Sequence, residues 1–160
     1  MPTLRIGHGY DAHRLLPERS LILGGVEIPH HLGLDGHSDA DLLTHAVMDA
    51  MLGALALGDI GQHFPPGKAA YKDANSLKLL QKVTEMVAGQ RFALCNLDAT
   101  IIAQKPKLAD YIPQMRENLA GALGVDVGQV SVKATTEEGM GFTGTEQGIA
   151  AHCVVLLAKE

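Results

Sequence analysis

Three side chains in the first third of the sequence have the types and spacing of a metal site. Asp11 and His13 stand two residues apart in GYDAHRL, a segment with strand character, and His45 lies in HSDADLLTHAVMDA, a segment with helix character. Residues two apart on a strand point to the same side, so a strand and a helix can hold one ion between them. One carboxylate and two imidazoles suit Zn²⁺, and three protein ligands leave a position for substrate or water. The pattern therefore predicts a zinc centre that takes part in chemistry.

The residues around His45 extend this prediction. Asp49 stands one helical turn further on, and we expect its carboxylate to orient the His45 imidazole. Free N–H groups and the helix dipole at the start of the same helix favour an anion such as phosphate, although an ordinary capped N-terminus fits the same residues. The polar residues at this predicted start are His37, Ser38, Asp39 and Asp41.

A second polar cluster lies in KATTEEGMGF, where Thr135 and Thr136 end a predicted strand. Their hydroxyl and N–H groups can donate to a phosphoryl group, and Glu137 and Glu138 follow at once. Mg²⁺ is usually bound by one or two carboxylates together with phosphate oxygens, so the cluster is consistent with a cation and a phosphate. Taken alone, the same residues also fit an edge strand followed by solvated glutamates.

A third segment, AQKPKLADYIP, places Lys105 and Lys107 around Pro106 at the end of another predicted strand. Unaided, this segment has the composition of a solvated turn.

Composition limits the classes of function. The chain has 160 residues, fits one domain over 1–160, and carries 13 Lys and Arg against 18 Asp and Glu. The basic residues are scattered, so we expect no binding to nucleic acid or to an anionic membrane surface. The sequence starts without a basic region followed by an apolar one, and we expect a cytoplasmic protein. Cys95 and Cys153 lie in apolar, strand-like runs, which predicts buried thiols without a disulfide.

The elements that must position these residues alternate between strand and helix patterns. They predict an α+β fold, a two-layer sandwich with a mixed four-stranded sheet covered by helices, plus a small N-terminal hairpin turning at Gly24 and Gly25. The predicted sheet strands are LRIGHGYDA, FALCNLDATIIAQ, VSVKATT and GIAAHCVVLLA. The glycine-rich segment GDIGQHFPPGKAAYKDAN predicts a mobile, functional loop.

Three helices are predicted from apolar periodicity, caps and terminating glycines. They run from a cap at Ser38 or Asp39 to Leu57, from Ser76 to about Val87 with Gly89 ending it, and from Ile112 to Leu123 with Gly124 after it.

Together these segments resemble the 2-C-methyl-D-erythritol 2,4-cyclodiphosphate synthase family, the ring-closing enzymes of non-mevalonate isoprenoid synthesis. The resemblance covers essentially the whole chain and is specific because the motifs occur jointly and in the family's order. They are RIGHGYDAH, GGVEIP, GLDGHSDADLLTHAVMDAMLGALALGDIG, NLDATIIAQKPKL, IPQMRENLA and VKATTEEGMGFTG. The resemblance implies a homotrimer with active sites between neighbouring subunits.

The resemblance also implies the cofactors and the reaction. Asp11, His13 and His45 would hold Zn²⁺, and Glu138 would hold a second cation, Mg²⁺ or Mn²⁺, between the α and β phosphates. The substrate would be 4-diphosphocytidyl-2-C-methyl-D-erythritol 2-phosphate, whose 2-phosphate attacks the β-phosphorus and expels CMP. Positioning and charge neutralisation supply most of the catalysis in phosphoryl transfer, which fits a sequence without a Ser-His-Asp or Cys-His pattern.

Site residues follow from the same resemblance. His37 and Thr136 would be catalytic and stabilise phosphoryl oxygens, with Ser38 beside His37. The erythritol moiety would be bound by Asp59, Ile60 and Gly61, and the cytidine by Ala103, Gln104, Lys105, Pro106, Lys107, Leu108, Ala109 and Thr135. The remaining implied substrate contacts are Asp11, His13, Phe64, Lys68, Glu137, Glu138 and Phe142.

Two segments depart from the family pattern. The usual FPDTDPxxKGADS here reads FPPGKAAYKDANS, which removes two carboxylates and places Lys68 among the implied contacts. Many relatives have GFTGRGEG, whose arginine belongs to a diphosphate cavity on the trimer axis. Thr145 replaces that arginine, so we do not expect isoprenoid diphosphates to bind there, even with Tyr10 and Phe142 lining the cavity.

Two other functions fit parts of the pattern. A zinc-dependent phosphohydrolase would activate a metal-bound water and place solvent oxygen in the product. A non-catalytic trimeric nucleotide-binding protein would bind metal and nucleotide without releasing CMP.

Overall fold

The computed structural model describes residues 3–160 of the chain. In this range the strands are β1 (Leu4–Pro17), β2 (Leu21–Leu23), β3 (Val26–Ile28), β4 (Leu32–Leu34), β5 (Phe92–Ile102), β6 (Val130–Thr135) and β7 (Gly148–Lys159). The α-helices are α1 (Leu42–Ala54), α2 (Ile60–His63), α3 (Ser76–Gly89), α4 (Ile112–Leu123) and α5 (Gly141–Gly144). Short 3-10 turns cover 69–71, 109–111 and 127–129.

The main sheet has five strands in the order β4-β1-β7-β5-β6. Neighbours are antiparallel except β5 and β6, so the α+β class, the mixed sheet and the separate β2-β3 hairpin are confirmed. The predicted count of four strands is wrong. β4 adds a fifth strand because β1 continues to Pro17 and pairs there, with Leu15 opposite Leu34. A strand of three residues is too short to show alternation in the sequence.

One face of the main sheet is covered by helices. On β7, Cys153, Val155 and Leu157 are buried, whereas His152 and Val154 between them are exposed. α1 packs on β1 and β7, α3 on α1 and β5, and α4 on β6 and α3. The opposite face stays open within the described residues, which agrees with the predicted two-layer arrangement.

Two glycines allow α1 to lie directly against β1. A Cβ atom on Gly7 would come within 1.8 Å of the Ala50 carbonyl oxygen, and one on Gly9 within 1.9 Å of the Ala46 carbonyl oxygen. Side chains at these inward positions would therefore push the helix away. The next inward position on β1 is Asp11, so this close approach brings α1 to the predicted metal ligands.

Asp41 fixes the start of α1 and ties it to the hairpin. Its buried carboxylate accepts hydrogen bonds from the N–H groups of Gly24 and Gly25, both at 2.8 Å, and from the N–H and hydroxyl of Thr44. Gly24 and Gly25 have φ angles of 57° and 72°, as the predicted turn requires.

The predicted ends of α1 are wrong. The helix begins at Leu42 because the Asp41 carboxylate accepts from the N–H three residues on. The Ser38 hydroxyl accepts from the Ala40 N–H, and the Asp39 carboxylate accepts from the N–H groups of Asp41 and Ser76. It ends at Ala54 because the Leu55 N–H bonds the Leu52 and Gly53 carbonyls, which closes the last turn early.

Other elements lie close to their predicted positions. α4 occupies the predicted range and is followed by Gly124, whose φ of 68° is the left-handed conformation of a residue that caps a helix C-terminus. α3 runs two residues further than predicted, to Gly89. The predicted loop is partly ordered, because it contains α2 and the turn at 69–71. Cys95 and Cys153 are free thiols, and burial raises the pKa of Cys153 to about 12.

Candidate metal centre and substrate cavity

The structure brings the three predicted metal ligands together where β1 meets α1. The ligating atoms of Asp11, His13 and His45 all lie within 4.8 Å of one another. Asp11 Oδ2 is 2.9 Å from His13 Nε2 and 2.9 Å from His45 Nδ1. Both imidazoles thus present one nitrogen to the same carboxylate oxygen, which is the arrangement of a three-ligand site.

The electrostatics of this trio favour a positive charge at its centre. Burial by itself raises the pKa of Asp11, but hydrogen bonds and positive charge from His13 and His45 outweigh it and lower the pKa to about 2. Burial lowers the pKa of His13, yet the hydrogen bond and charge of Asp11 outweigh it and raise the pKa above 6.5. A divalent cation would supply the same charge without a proton.

The outer nitrogen of His13 fixes the orientation of its ring. Nδ1 lies 2.5 Å from the backbone carbonyl oxygen of Asp35. A carbonyl only accepts, so Nδ1 carries a hydrogen, and Nε2 faces Asp11 either as the second N–H of an imidazolium or as a lone pair. The lone-pair arrangement requires a cation between Nε2 and the carboxylate, as in a metal site.

His45 has a different outer partner from the one predicted. Its Nε2 is 2.9 Å from the Ser76 hydroxyl oxygen and 3.3 Å from that of Ser38. The predicted role of Asp49 is wrong, because its carboxylate accepts from the Ile60 N–H at 2.8 Å and so holds the start of α2. Ser76 was missed, since a serine at a helix start resembles any capping residue.

Side chains cap the start of α1, and phosphate binding by His37 and Ser38 beside it stays a prediction. The Asp41 carboxylate accepts from an N–H of the first turn, and the Asp39 carboxylate accepts from the N–H groups of Asp41 and Ser76. The alternative, a capped N-terminus, is what the structure shows.

A cavity of about 210 Å³ opens beside the trio. Besides Asp11, His13 and His45, its walls are formed by His37, Ser38, Met48, Ile60, Gly61, Phe64, Pro66, Tyr71 and Leu79. Asp59 and Lys68, which the resemblance implies as substrate contacts, stand outside this lining. Asp59 caps α2 through a 3.0 Å bond from the Gln62 N–H, and the Lys68 carbonyl accepts from His37 Nε2 at 3.3 Å.

A second cavity, of about 220 Å³, lies at the other edge of the sheet. Its walls are Ala103, Gln104, Pro106, Lys107, Leu108, Ala109, Ala134, Thr135 and Thr136. The structure thus joins the segment around Pro106 to the end of β6, as the resemblance implies. Lys105 stands outside this lining and precedes Pro106 through a cis peptide bond.

The turn after β6 is held by its own side chains. Thr136 Oγ1 accepts from the Glu138 N–H at 3.2 Å, and the Thr143 hydroxyl donates to Glu137 Oε2 at 2.5 Å. The Gly139 N–H donates to Gln104 Oε1 at 3.1 Å, which links the turn to the second cavity. Glu138 is exposed and has a φ of 51°, a left-handed conformation uncommon for residues other than glycine.

Phe142 and Tyr10 belong to neither cavity. Phe142 lines a separate concavity with Ala12, His13 and Arg14. Tyr10 is exposed on the open face of the sheet, with its ring centroid 4.8 Å from that of His152.

The two cavities lie at the same end of the sheet but on different strands. The register aligns Ala12 with Ala150, Ala150 with Ile102, and Ile102 with Thr135. Three strand spacings therefore separate the residue between the metal ligands of β1 from the end of β6, roughly 14 Å along the sheet.

The mixed five-stranded sheet carries a candidate three-ligand metal centre, a cavity beside it and a hydroxyl-bearing turn, an arrangement suited to an enzyme of metal-assisted phosphoryl chemistry. The YgbB family matches residues 4–158, and the chain belongs to that family.

Relatives agree along the whole length. A 2-C-methyl-D-erythritol 2,4-cyclodiphosphate synthase of Trichlorobacter lovleyi is 62% identical over 157 residues, which are 98% of this chain and 100% of the relative. The bifunctional IspDF of Campylobacter jejuni is 40% identical with a TM-score of 0.96, over 100% of this chain and 43% of that one. IspF of Plasmodium falciparum in complex with CDP is 33% identical with a TM-score of 0.88, over 98% and 97% of the chains. The activity is synthesis of 2-C-methyl-D-erythritol 2,4-cyclodiphosphate in the non-mevalonate isoprenoid pathway.

Proposed function

We propose that the chain forms the cyclodiphosphate from 4-diphosphocytidyl-2-C-methyl-D-erythritol 2-phosphate. An oxygen of the 2-phosphate forms a bond to the β-phosphorus, and the bond from that phosphorus to the bridging oxygen breaks, so that CMP leaves with the bridging oxygen. The observation that carries this proposal is the convergence of Asp11, His13 and His45 beside a cavity. The nucleophile belongs to the substrate, so the protein acts by positioning and by neutralising charge.

The trio fits Zn²⁺ because it offers two imidazole nitrogens and one carboxylate oxygen, a donor set typical of catalytic zinc. When bound, zinc supplies a Lewis acid that polarises a phosphoryl oxygen. Asp35 and Ser76 hold the two imidazoles from outside and so orient them toward that ion.

The phosphoryl oxygens are bound from two sides. His37 and Ser38 line the metal cavity and can donate from the imidazole and the hydroxyl. Thr136 lines the second cavity and stabilises phosphoryl oxygens of the leaving side. Glu138, exposed on the same turn, would hold Mg²⁺ or Mn²⁺, which would neutralise negative charge on the diphosphate.

The second cavity takes the cytidine. Its segment from Ala103 to Ala109 offers apolar walls together with backbone groups, which suits a flat base. A relative of the same fold has been solved with CDP, a molecule that shares the cytidyl group.

The chain acts as a homotrimer whose active sites are shared between neighbours. Two features support this arrangement. Roughly 14 Å along the sheet of one chain separates Ala12, between the metal ligands of β1, from Thr135 at the second cavity. The open sheet face also carries exposed apolar side chains, with Ile6 72% exposed and Leu4 50% exposed, and such a face is typical of a protein interface.

Phosphorus NMR of the purified chain with the cytidyl substrate, Zn²⁺ and Mg²⁺ tests this function. The expected result is equal release of CMP and cyclic diphosphate, without solvent oxygen in either when the reaction runs in ¹⁸O-water. Linear products labelled with ¹⁸O would favour the phosphohydrolase, and nucleotide binding without CMP release would favour the non-catalytic protein.

The residues described contain no helix long and apolar enough to cross a membrane.

A further inference from the structure

A chain of short hydrogen bonds runs outward from the metal centre into the start of α3. His45 Nε2 lies 2.9 Å from Ser76 Oγ, and Ser76 Oγ lies in hydrogen-bond contact with Asp39 Oδ1. The Asp39 carboxylate also accepts from the N–H groups of Ser76, at 2.9 Å, and of Asp41, at 3.1 Å. Ser76 is fully buried, so water does not compete for these bonds.

The number of available hydrogens decides which group donates in each of these hydrogen bonds. An ionised carboxylate only accepts, and Ser76 has a single hydroxyl hydrogen, which therefore goes to Asp39. The oxygen of Ser76 is then left to accept, and the donor that faces it is His45 Nε2–H. In the neutral imidazole that binds a metal, the hydrogen thus lies on Nε2, and Nδ1 keeps its lone pair for an ion shared with Asp11 Oδ2.

We propose that Ser76 and Asp39 are positioning residues that fix His45 in its metal-binding tautomer. The proposal rests on the zinc centre described above and adds the residues that prepare it. Asp35 does the same for His13 through a backbone carbonyl, which no side-chain substitution removes. We call the series Asp39–Ser76–His45 the relay. It supplies the shorter of the two side-chain contacts to His45 Nε2, the other being Ser38 Oγ at 3.3 Å, and substitution can remove it.

The relay also explains why the loop between α1 and α3 returns to the metal centre. Ser76 is the first residue of α3, so the docking of this helix sets the tautomer of a ligand carried by α1. Asp39 holds both the backbone and the hydroxyl of Ser76, and it thereby keeps the hydroxyl aimed at His45.

Zinc affinity, measured by transfer from the zinc-loaded full chain to a chromophoric chelator, tests the relay. Ser76→Ala removes the hydroxyl oxygen that accepts from His45 Nε2. Asp39→Asn replaces one carboxylate oxygen by an amide NH₂ group, which then faces a group that donates to Asp39 in the wild type. We expect each variant to bind zinc 10- to 100-fold more weakly, the range typical of partners behind a metal ligand. Thr84→Ala removes a hydroxyl from the same helix away from the centre and should leave zinc affinity unchanged.

Nitrogen-15 NMR of the histidines in the wild-type chain gives a second measurement that a merely structural role would not predict. The relay requires the His45 hydrogen on Nε2, and Ser76→Ala should shift the resonance of that N–H. A hydrogen on Nδ1 in the zinc-loaded wild type, or zinc affinity within threefold of wild type in both variants, would overturn the proposal. If Ser76→Ala does not fold, Asp39→Asn and the wild-type spectrum decide. The spectrum does not depend on CMP release, so failure of the cyclase reaction and failure of the relay are told apart.

Discussion

Asp11, His13 and His45 face one another across the junction of β1 and α1, whereas Thr136 and Glu138 stand on an exposed turn beyond β6. We call the first group the metal half and the second the turn half. In the metal half each imidazole has partners on both nitrogens, and His45 is only 7% exposed. In the turn half, the one hydrogen bond of the Thr136 hydroxyl within residues 3–160 comes from the N–H two residues on.

The difference shows which half is complete within one chain. The metal half has its geometry fixed by packing and hydrogen bonds, so it is ready for a cation. The turn half offers donors and a carboxylate without partners of opposite charge among the described contacts, and its geometry is completed by what binds there. A rigid centre and an adaptable turn suit a reaction in which one end of the substrate is anchored and the other leaves.

The largest effect is expected from breaking the metal half directly. His45→Ala removes one of three ligands, and zinc affinity should fall by more than ~100-fold, beyond the range typical of outer partners. CMP release should be lost with it. Glu138→Ala should retain zinc within threefold and require more Mg²⁺ for the same rate. Zinc content by mass spectrometry and a Mg²⁺ titration measure the two responses, and equal zinc loss in both variants would refute the division into halves.

Gly9→Ala tests how closely β1 and α1 must approach. The new Cβ would stand 1.9 Å from the Ala46 carbonyl oxygen, so strand and helix must separate. Overpacking of this kind costs about 3 kcal/mol, and thermal unfolding should move down by roughly 10 °C, with zinc affinity lowered as well.

A matched control for this substitution lies on α4. Gly121 has no atom within 4 Å of an added Cβ, so Gly121→Ala should stabilise the helix by ~0.5–1 kcal/mol. Unchanged stability in Gly9→Ala would show that the close contact is not needed to build the metal half.

Zinc binding by the metal half should weaken at low pH, because His13 becomes protonated. A protonated imidazole cannot ligate, and Asp11 raises the pKa of His13 above 6.5 after the opposing effect of burial. Zinc affinity is therefore complete above the raised pKa and falls as the pH drops through it, by about tenfold per unit for one competing proton. Chelator competition across pH 5 to 9 measures this, and an affinity that is flat down to pH 6 would contradict the role of His13.

The smallest effect is expected at the support of the turn half. Thr143→Val removes the hydroxyl that donates to Glu137 and keeps the size of the side chain. Because substrate completes this turn, we expect KM to rise about two- to fivefold, equivalent to loss of one hydrogen bond worth ~0.5–1 kcal/mol, with zinc affinity unchanged. Steady-state kinetics with the cytidyl substrate measure KM. A fall in zinc affinity in Thr143→Val would contradict the independence of the two halves.

The same contrast explains what could be predicted from the sequence. The metal ligands could be predicted because their residue types are common metal ligands. The segments around them also show the alternation of a strand and the apolar repeat of a helix. The hairpin was found because Gly24 and Gly25 are required by its turn. β4 was missed because three residues show no period, and the role of Ser76 was missed because its partner lies 31 residues away in the sequence.

The second cavity shows the opposite case. Its walls are mostly apolar side chains and backbone around Pro106, residue types that occur in any turn. Only the resemblance to a family marked them, and the structure then placed them beside Thr135. Likewise, the cap by Asp41 depends on its contact with the hairpin turn, which no local pattern reveals.

In the homotrimer that we propose, the metal half of one chain works with the turn half of its neighbour. Co-assembly of His45→Ala chains with Thr136→Val chains tests it, since each variant alone should be inactive. In a mixed trimer with shared sites, roughly a quarter of the sites combine two intact halves, so CMP release should recover to about a quarter of the wild-type rate. Activity that stays at the level of the separate variants in a verified mixed assembly would contradict the claim and place both halves of each site in one chain.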